Sequence, residues 1–409
     1  MSTRLEQARA IFTVLLCAGL LLAGNGLFQT LMPLRADQEG FSTTLIGLLG
    51  TAYFGGYVIG CWVGPRFIMS VGHVRSFAGA AAALTVLGLA FPLLIEPYFW
   101  AALRVLTGFN LAILFIVVES WLNDASTNDN RGRILSTYII VANLVTMAGQ
   151  LGVNIYDTRG NVLFTVVAML VAASIVPLTL TPTTVPKPIP SARLNLPFLF
   201  RVSPAGAVGC LLVGAAEGAF WSLGPVFAQK RGMATVDVTL LMAAFVLGGT
   251  LSQWPLGWLS DKIDRRLVIA ATSMGAVVTG LTLASAAPTG LNAVLTLAAC
   301  HGALMVPLYA LCLSHANDQA PNNRMVEISS GLLLVYSLGA SVGPMIAARM
   351  MENGHSGRLF LFVAATLGAL GLFVILRLFQ GSQGIRGERM DFVPVPKTSQ
   401  SVYSLEEDD

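Results

Sequence analysis

Glu217 is the acid to explain first, because it sits mid-way through the uncharged run from Pro204 to Gln229. At membrane depth a charged side chain costs about 2.5–3.5 kcal/mol on the insertion scale, so such a group tends to be kept for a task. A carboxyl in that setting can load and release a proton or handle a substrate. It can also simply hydrogen-bond across a cavity. Arg104 interrupts a second apolar run, and serves either proton relay or anion pairing, or is a structural arginine satisfied by backbone carbonyls. His301 lies within Leu267–Asn317, a stretch without Asp, Glu, Lys or Arg. Imidazole ordinarily titrates near neutral pH, so His301 is either a proton carrier or a neutral hydrogen-bonded residue. Asn25, Gln29 and Trp221 complete the candidate substrate- or proton-binding set, as two amides and an indole able to orient a solute. Tyr53, Tyr57, Asn110, Tyr138, Asn143, Gln150, Gln253, Tyr309 and Tyr336 either line a cavity with them or bond helix to helix.

A second group of charges falls at the ends of apolar runs. The stretch Gly257-Trp258-Leu259-Ser260-Asp261-Lys262-Ile263-Asp264-Arg265-Arg266 reads as a tight loop at a membrane face. There an aspartate can cap a helix N-terminus or pair with arginine. Asp261, Arg265 and Arg266, with Glu119, Asp124 and Asp318, are candidate gating residues whose pairs form in one conformation only. The alternative for each is a helix-end salt bridge, Glu119 having Arg131 and Arg133 near in sequence. Asp261 and Arg265 are expected to pair at a seam that closes on the cytoplasmic side.

The elements that must hold these residues are membrane helices. Hydrophobic residues make up 55% and charged ones 11%, with a mean hydropathy of +0.72, far from the quarter of charged residues usual in soluble proteins. Spans are expected at 11–34, 43–64, 76–95, 98–122, 133–156, 160–181, 204–229, 236–259, 267–287, 290–316, 327–350 and 358–379. The first follows Arg4 and Arg9 as a signal sequence would, but its apolar run is too long and lacks a cleavage pattern, so it is expected to be retained. The prolines between Pro182 and Pro190 forbid a helix and divide the chain. The implied organisation is a six-helix bundle over 1–181, a cytoplasmic linker over 182–203, a second six-helix bundle over 204–380 and a disordered cytoplasmic tail over 381–409. Counting basic residues, seventeen of the 24 fall on the face holding both termini and six on the other, with Arg104 in a span. That asymmetry expects both termini to be cytoplasmic, in a multi-pass protein of the plasma (inner) membrane.

The halves repeat. Gly24 through Phe28 and Pro33 match Ala216 through Phe220 and Pro225 at an offset of 192, as does Trp62 with Trp254; Arg131 and Ser136 match Arg324 and Ser329 at 193. The fold class expected is therefore all-α, with twelve transmembrane helices in two pseudo-symmetric bundles.

At this point the chain to about residue 380 resembles the major facilitator superfamily of transporters. Asp261 through Arg266 resembles its loop signature, Arg104-Val105-Leu106-Thr107-Gly108 its Arg-x-x-x-Gly, and Arg131-Gly132-Arg133 its short basic loop. The sequences around Glu119 and His315 are similar to those of the poorly characterised YcaD-like subgroup. The resemblance implies a secondary transporter working by alternating access, expected as a monomer in the bilayer; the depth and solitude of Glu217 expect it to be the proton-coupling carboxylate, and the few charges within spans expect a small organic solute. Two departures stand out. Ile68 or Met69 occupies the first-half loop position where an aspartate belongs, and Gly-x-x-x-Gly-Pro falls at Gly339–Pro344 on helix eleven instead of on helix five. The first, with the long tail, favours the competing reading, a non-transporting receptor or scaffold on the same fold.

Other chemistry finds no support. No phosphate-cradling loop is present, and no cysteine–histidine cluster has metal spacing, so neither a cofactor nor a metal is expected. The five cysteines all lie in or beside apolar runs and read as small buried side chains. Basic residues line a membrane face in pairs and form no nucleic-acid patch. No enzymatic activity is expected.

Overall fold

The computed structural model describes residues 2–124, 126, 131–180, 195–285, 290–321, 324–353 and 355–380. It is helical, with twelve helices long and apolar enough to cross a membrane. Spans 1 to 6 are Ile11–Gln38, Thr43–Val71, His73–Leu93, Pro97–Asp124, Ile134–Ile155 and Val162–Leu180. Spans 7 to 12 are Pro204–Lys230, Thr235–Lys262, Arg265–Ala284, Leu291–Asn317, Glu327–Glu352 and Arg358–Phe379.

Proline shapes the exceptions. Span 10 breaks between Met305 and Leu308, at Pro307, and span 3 tightens into a 3-10 turn over Phe91–Leu93, around Pro92; in both cases a backbone donor is missing. Leu196–Val202 forms a short helix leading into span 7, inside the stretch expected to be linker. The proline-rich segment before it and the tail lie outside the described residues.

The spans pair in the same way in each half. Span 1 packs on 5 as 7 packs on 11, 2 on 4 as 8 on 10, and 3 on 6 as 9 on 12. Glycine explains why this pairing is so close. A methyl built on Gly56 would sit 1.9 Å from the carbonyl oxygen of Val105, and one on Gly248 1.9 Å from that of Ala299. Across the same seams, Gly108 would meet the Tyr53 carbonyl and Gly302 the Phe245 carbonyl, both at 2.0 Å. With no hydrophobic drive between helices in lipid, this backbone-to-backbone approach is the main source of cohesion. Each half also carries its own aromatic cluster. In the first, Phe28 meets Phe91 at 5.1 Å and Phe164 at 6.3 Å; in the second, Phe220 stacks on Phe245 at 3.9 Å and lies 6.2 Å from Phe360.

The two bundles meet mainly at the end of the molecule away from the interspan loop at Ile263–Asp264. Span 2 lies against 11 and 7 there, and span 5 against 8. The Thr51 hydroxyl donates to the Ser341 carbonyl at 2.7 Å, and Asn154 Nδ2 donates to Thr239 Oγ1 at 2.7 Å. Further out, Glu352 accepts from the backbone N–H of Thr44 at 3.1 Å, and Lys230 donates to the Thr43 hydroxyl. Gly47 and Gly50 of span 2 lie against Pro344, the last residue of the glycine-proline pattern on span 11.

Candidate functional site

A cavity of about 270 Å³ lies between the bundles. Spans 1 and 7 supply matched positions to it: Asn25 and Gln29 from one, Glu217 and Trp221 from the other. These are the pairs that the repeat aligns at an offset of 192, so the two halves present the same wall with different chemistry.

Glu217 is buried, and its Oε2 accepts a hydrogen bond from the Tyr336 hydroxyl at 2.7 Å. Tyr336 reaches the cavity from span 11 and packs edge-on against Tyr309 of span 10 at 4.9 Å. Gly214 and Gly218, a turn before and just after Glu217, meet the Tyr336 and Ala340 carbonyls, which fixes the carboxyl and its phenol on touching backbones. Tyr53, Tyr57, Tyr138, Asn143, Gln150 and Gln253 also line the space, as the sequence suggested. Asn110 does not, because its side chain donates to the Leu106 carbonyl of its own helix at 2.8 Å.

Arg104 stands beside the cavity in a smaller void shared with Gln29, Trp221 and Ser222. Its guanidinium lies 4.3 Å from the centre of the Tyr53 ring and 5.6 Å from that of Phe28. It donates from Nε to the Leu49 carbonyl and from Nη2 to Gln29 Oε1, each at 3.3 Å. Arg104 thus orients Gln29 and lies against two ring faces, while its Nη1 is buried without a hydrogen-bond partner.

His301 is not brought to the cavity. Its ring lies inside the second bundle, with Nδ1 2.9 Å from Thr279 Oγ1 and its face between Phe245 and Phe360. The ring packs among spans 8, 9 and 12 and not on the cavity wall where the sequence expected it.

The charged stretch at Gly257–Arg266 also differs from expectation. Span 8 continues through Lys262 and span 9 begins at Arg265, so the loop is only Ile263 and Asp264. The capping aspartate is Asp264, whose carboxylate accepts from the Arg266 backbone N–H at 2.9 Å and from its guanidinium at 2.8 Å. That hydrogen bonding by Arg266 holds the Asp264 carboxyl below the usual carboxylate range. Arg265 is 2% exposed and pairs with Asp261 at 2.9 Å and with Asp318, from the end of span 10, at 2.8 Å. All three belong to the second bundle, and the pairs are made while the bundles meet at the opposite end. The expectation that Asp261 and Arg265 close a seam between bundles is corrected accordingly: they tie spans 8, 9 and 10 together.

In the first half Met69 stands where Asp261 stands in the second, and His73 where Arg265 does. Asp124 is within electrostatic reach of His73. Glu119 is fully buried and within electrostatic reach of Tyr57 and Cys61. The side chains of Arg131 and Arg133 lie outside the described residues. Among the described residues no group of histidine, cysteine and carboxylate side chains could hold a metal ion.

Comparison with known proteins agrees with this geometry. The family model described as Major Facilitator Superfamily matches residues 14–344 and 206–390. The chain is 29% identical over 368 residues to the "Uncharacterized MFS-type transporter YcaD" of Escherichia coli strain UTI89, covering 89% of this chain and 95% of the relative. Among solved structures, the nucleoside transporter NupG superposes with a TM-score of 0.75 at 12% identity, covering 91% of this chain and all of that one (100%). A bacterial homolog to the human lysosomal transporter Spinster, inward-facing and occupied, gives 0.72 at 13% identity, covering 91% and 96%. The E. coli fucose:proton symporter FucP gives 0.57 at 16%, covering 90% and 98%.

Proposed function

The chain belongs to the Major Facilitator Superfamily and is a multi-pass membrane solute transporter, and we propose that it moves a small organic solute by alternating access, with a proton carried on Glu217. The observation that carries this reading is a single buried carboxylate on the wall of the central cavity, held by Tyr336 from the neighbouring helix at 2.7 Å. An ionised carboxylate is costly at membrane depth, and its cost changes with the water around it. Loading a proton removes that cost, so the bundles rock more readily when Glu217 is neutral; release on the more alkaline side resets the cycle. FucP is named as a proton symporter, which is consistent with coupling of this kind on the same fold.

In this reading the bundle of residues 1–181 and that of 204–380 move as units joined by the linker at 182–203. The arrangement described, joined at the end away from Ile263–Asp264, is the inward-open state, with both termini cytoplasmic in the inner membrane. The Arg265 cluster and Asp124 sit at the mouth, and Glu119 behind it. The transporter acts as a monomer.

The test is flux in proteoliposomes under an imposed proton gradient. Wild-type protein should accumulate solute above empty vesicles and Glu217→Gln should bind it but lose gradient-driven uptake, since volume and hydrogen bonding to Tyr336 persist. Proton-driven uptake retained by Glu217→Gln would refute the role of Glu217. Binding without flux by the wild type would instead favour a receptor or scaffold.

A further inference from the structure

Gln150 is the polar side chain of the cavity that the fold leaves unanswered. It lines the cavity from span 5, is 0% exposed, and neither its Nε2 nor its Oε1 has a hydrogen-bond partner. A buried polar atom without a partner is costly to keep, and Gln150 holds two such atoms side by side. The helix cannot turn them away. Gly149 and Gly26 bring spans 5 and 1 into backbone contact, where added methyls would sit 2.2 Å from the Ala23 carbonyl and 2.4 Å from that of Thr146.

We propose that Gln150 is the specificity-determining residue of the transport site, and that it recognises an uncharged planar solute presenting a donor and an acceptor on one edge: a carboxamide, a lactam, a ureide or a nucleobase. This rests on the transporter reading above and deepens it. A carboxamide offers one acceptor and a donor pair in a fixed plane, and its best complement is another amide-like edge, met by two parallel hydrogen bonds. The remaining wall fits such an edge on a flat ring. Tyr53 and Trp221 face the space from opposite bundles, and aromatic faces stack flat rings. Among the described lining residues none is lysine or arginine, and Glu217 is the one acid. Arg104, the nearby cation, is not among the residues lining the cavity and lies against Tyr53 and Gln29 beside it. A volume of about 270 Å³ is roughly the share of nine water molecules in the liquid, which accommodates one or two rings.

The experiment is equilibrium binding and thermal shift of the purified full chain, with nicotinamide and uracil as probes and nicotinate and ribose as controls of similar size. Nicotinamide or uracil should stabilise the protein while nicotinate and ribose do not. Gln150→Met, which keeps the volume and removes both hydrogen-bonding atoms, should weaken that binding by about tenfold or more, and Gln150→Glu should abolish it. Both Gln150 variants are checked for an unaltered melting temperature without probe; if Gln150→Met melts early, Gln150→Glu carries the comparison. The proposal is overturned if neither amide-edge probe binds, if they bind equally in the Gln150 variants, or if nicotinate or ribose binds better. These outcomes leave the transporter reading standing, because that reading fails only on flux.

Discussion

Replacing Gly47 with alanine should pry the two bundles apart at the end where they are joined. A Cβ at position 47 would lie 2.4 Å from Ala348 Cβ and 2.8 Å from the Pro344 carbonyl oxygen, both across the bundle interface. Carbon atoms in contact prefer about 3.5–4.0 Å, so spans 2 and 11 must part by roughly 1 Å. Overpacking of this kind costs about 1–3 kcal/mol. On the alternating-access mechanism proposed above, only the state joined at this end bears the cost, because rocking would separate the same surfaces in the other. A bias of that size shifts the ratio of the two states by about 5- to 150-fold. The assay is the rate at which a single cysteine introduced at Thr51 reacts with a maleimide in nanodiscs, in a background with the five native cysteines replaced. Gly47→Ala should raise that rate with little change in melting temperature. Gly56→Ala, which drives a methyl against the Val105 carbonyl within one bundle, should instead lower melting and leave the rate alone. Gly55→Ala, whose nearest neighbour would be Ser341 Oγ at 3.8 Å, should do neither. If Gly47→Ala left labelling unchanged, or acted as Gly56→Ala does, the idea of two rigid units opening at this contact would be wrong.

Two further outcomes follow from the charged cluster. Asp318→Asn removes one of the two acids from a guanidinium that is 2% exposed, and should cost about 1–3 kcal/mol of stability; Asp261→Asn, at the more exposed partner, should cost less, and neither should alter the labelling rate at position 51. Equal losses, or a shift in labelling, would return Asp261 to the role of a gate between bundles. Asp264 has a carboxyl held below its ordinary value in the folded chain, so its contribution is present above the usual carboxylate range and lost as pH falls through the folded value. Melting measured downward from about pH 5 should therefore fall less steeply in Asp264→Asn than in wild type, and parallel curves would count against the cap.

Much of this could be read from residue order. The twelve spans follow from apolar runs whose length is set by the bilayer, and the offset that aligned Asn25 with Glu217 matched two residues that both line the cavity. Gln150, Tyr336 and Gln253 were legible only as polar residues inside spans, since periodicity in lipid does not tell a cavity face from a helix seam. His301 failed for that reason: a histidine flanked by apolar residues gives no sign of which neighbours its helix turns toward. The charged stretch was misplaced because Gly257 and the polar residues after it look like a loop, whereas Trp258 and Lys262, with the ammonium 3.9 Å from the ring centre, extend the helix to the membrane face. Which end of the bundles is joined depends on small residues such as Gly47 and Gly50, whose partners lie some three hundred positions away.

The paired aromatic clusters bear on how the chain is made. Phe28, Phe91 and Phe164 all belong to the first half, and Phe220, Phe245 and Phe360 to the second. The ribosome can therefore finish the first half, and the translocon release it, with its ring cluster already assembled and no residue of the second half required. Because domains fold as units in order of synthesis, the later half can insert beside a finished neighbour. Two separately encoded halves, divided within the proline-rich stretch, have the same information available to them as the single chain.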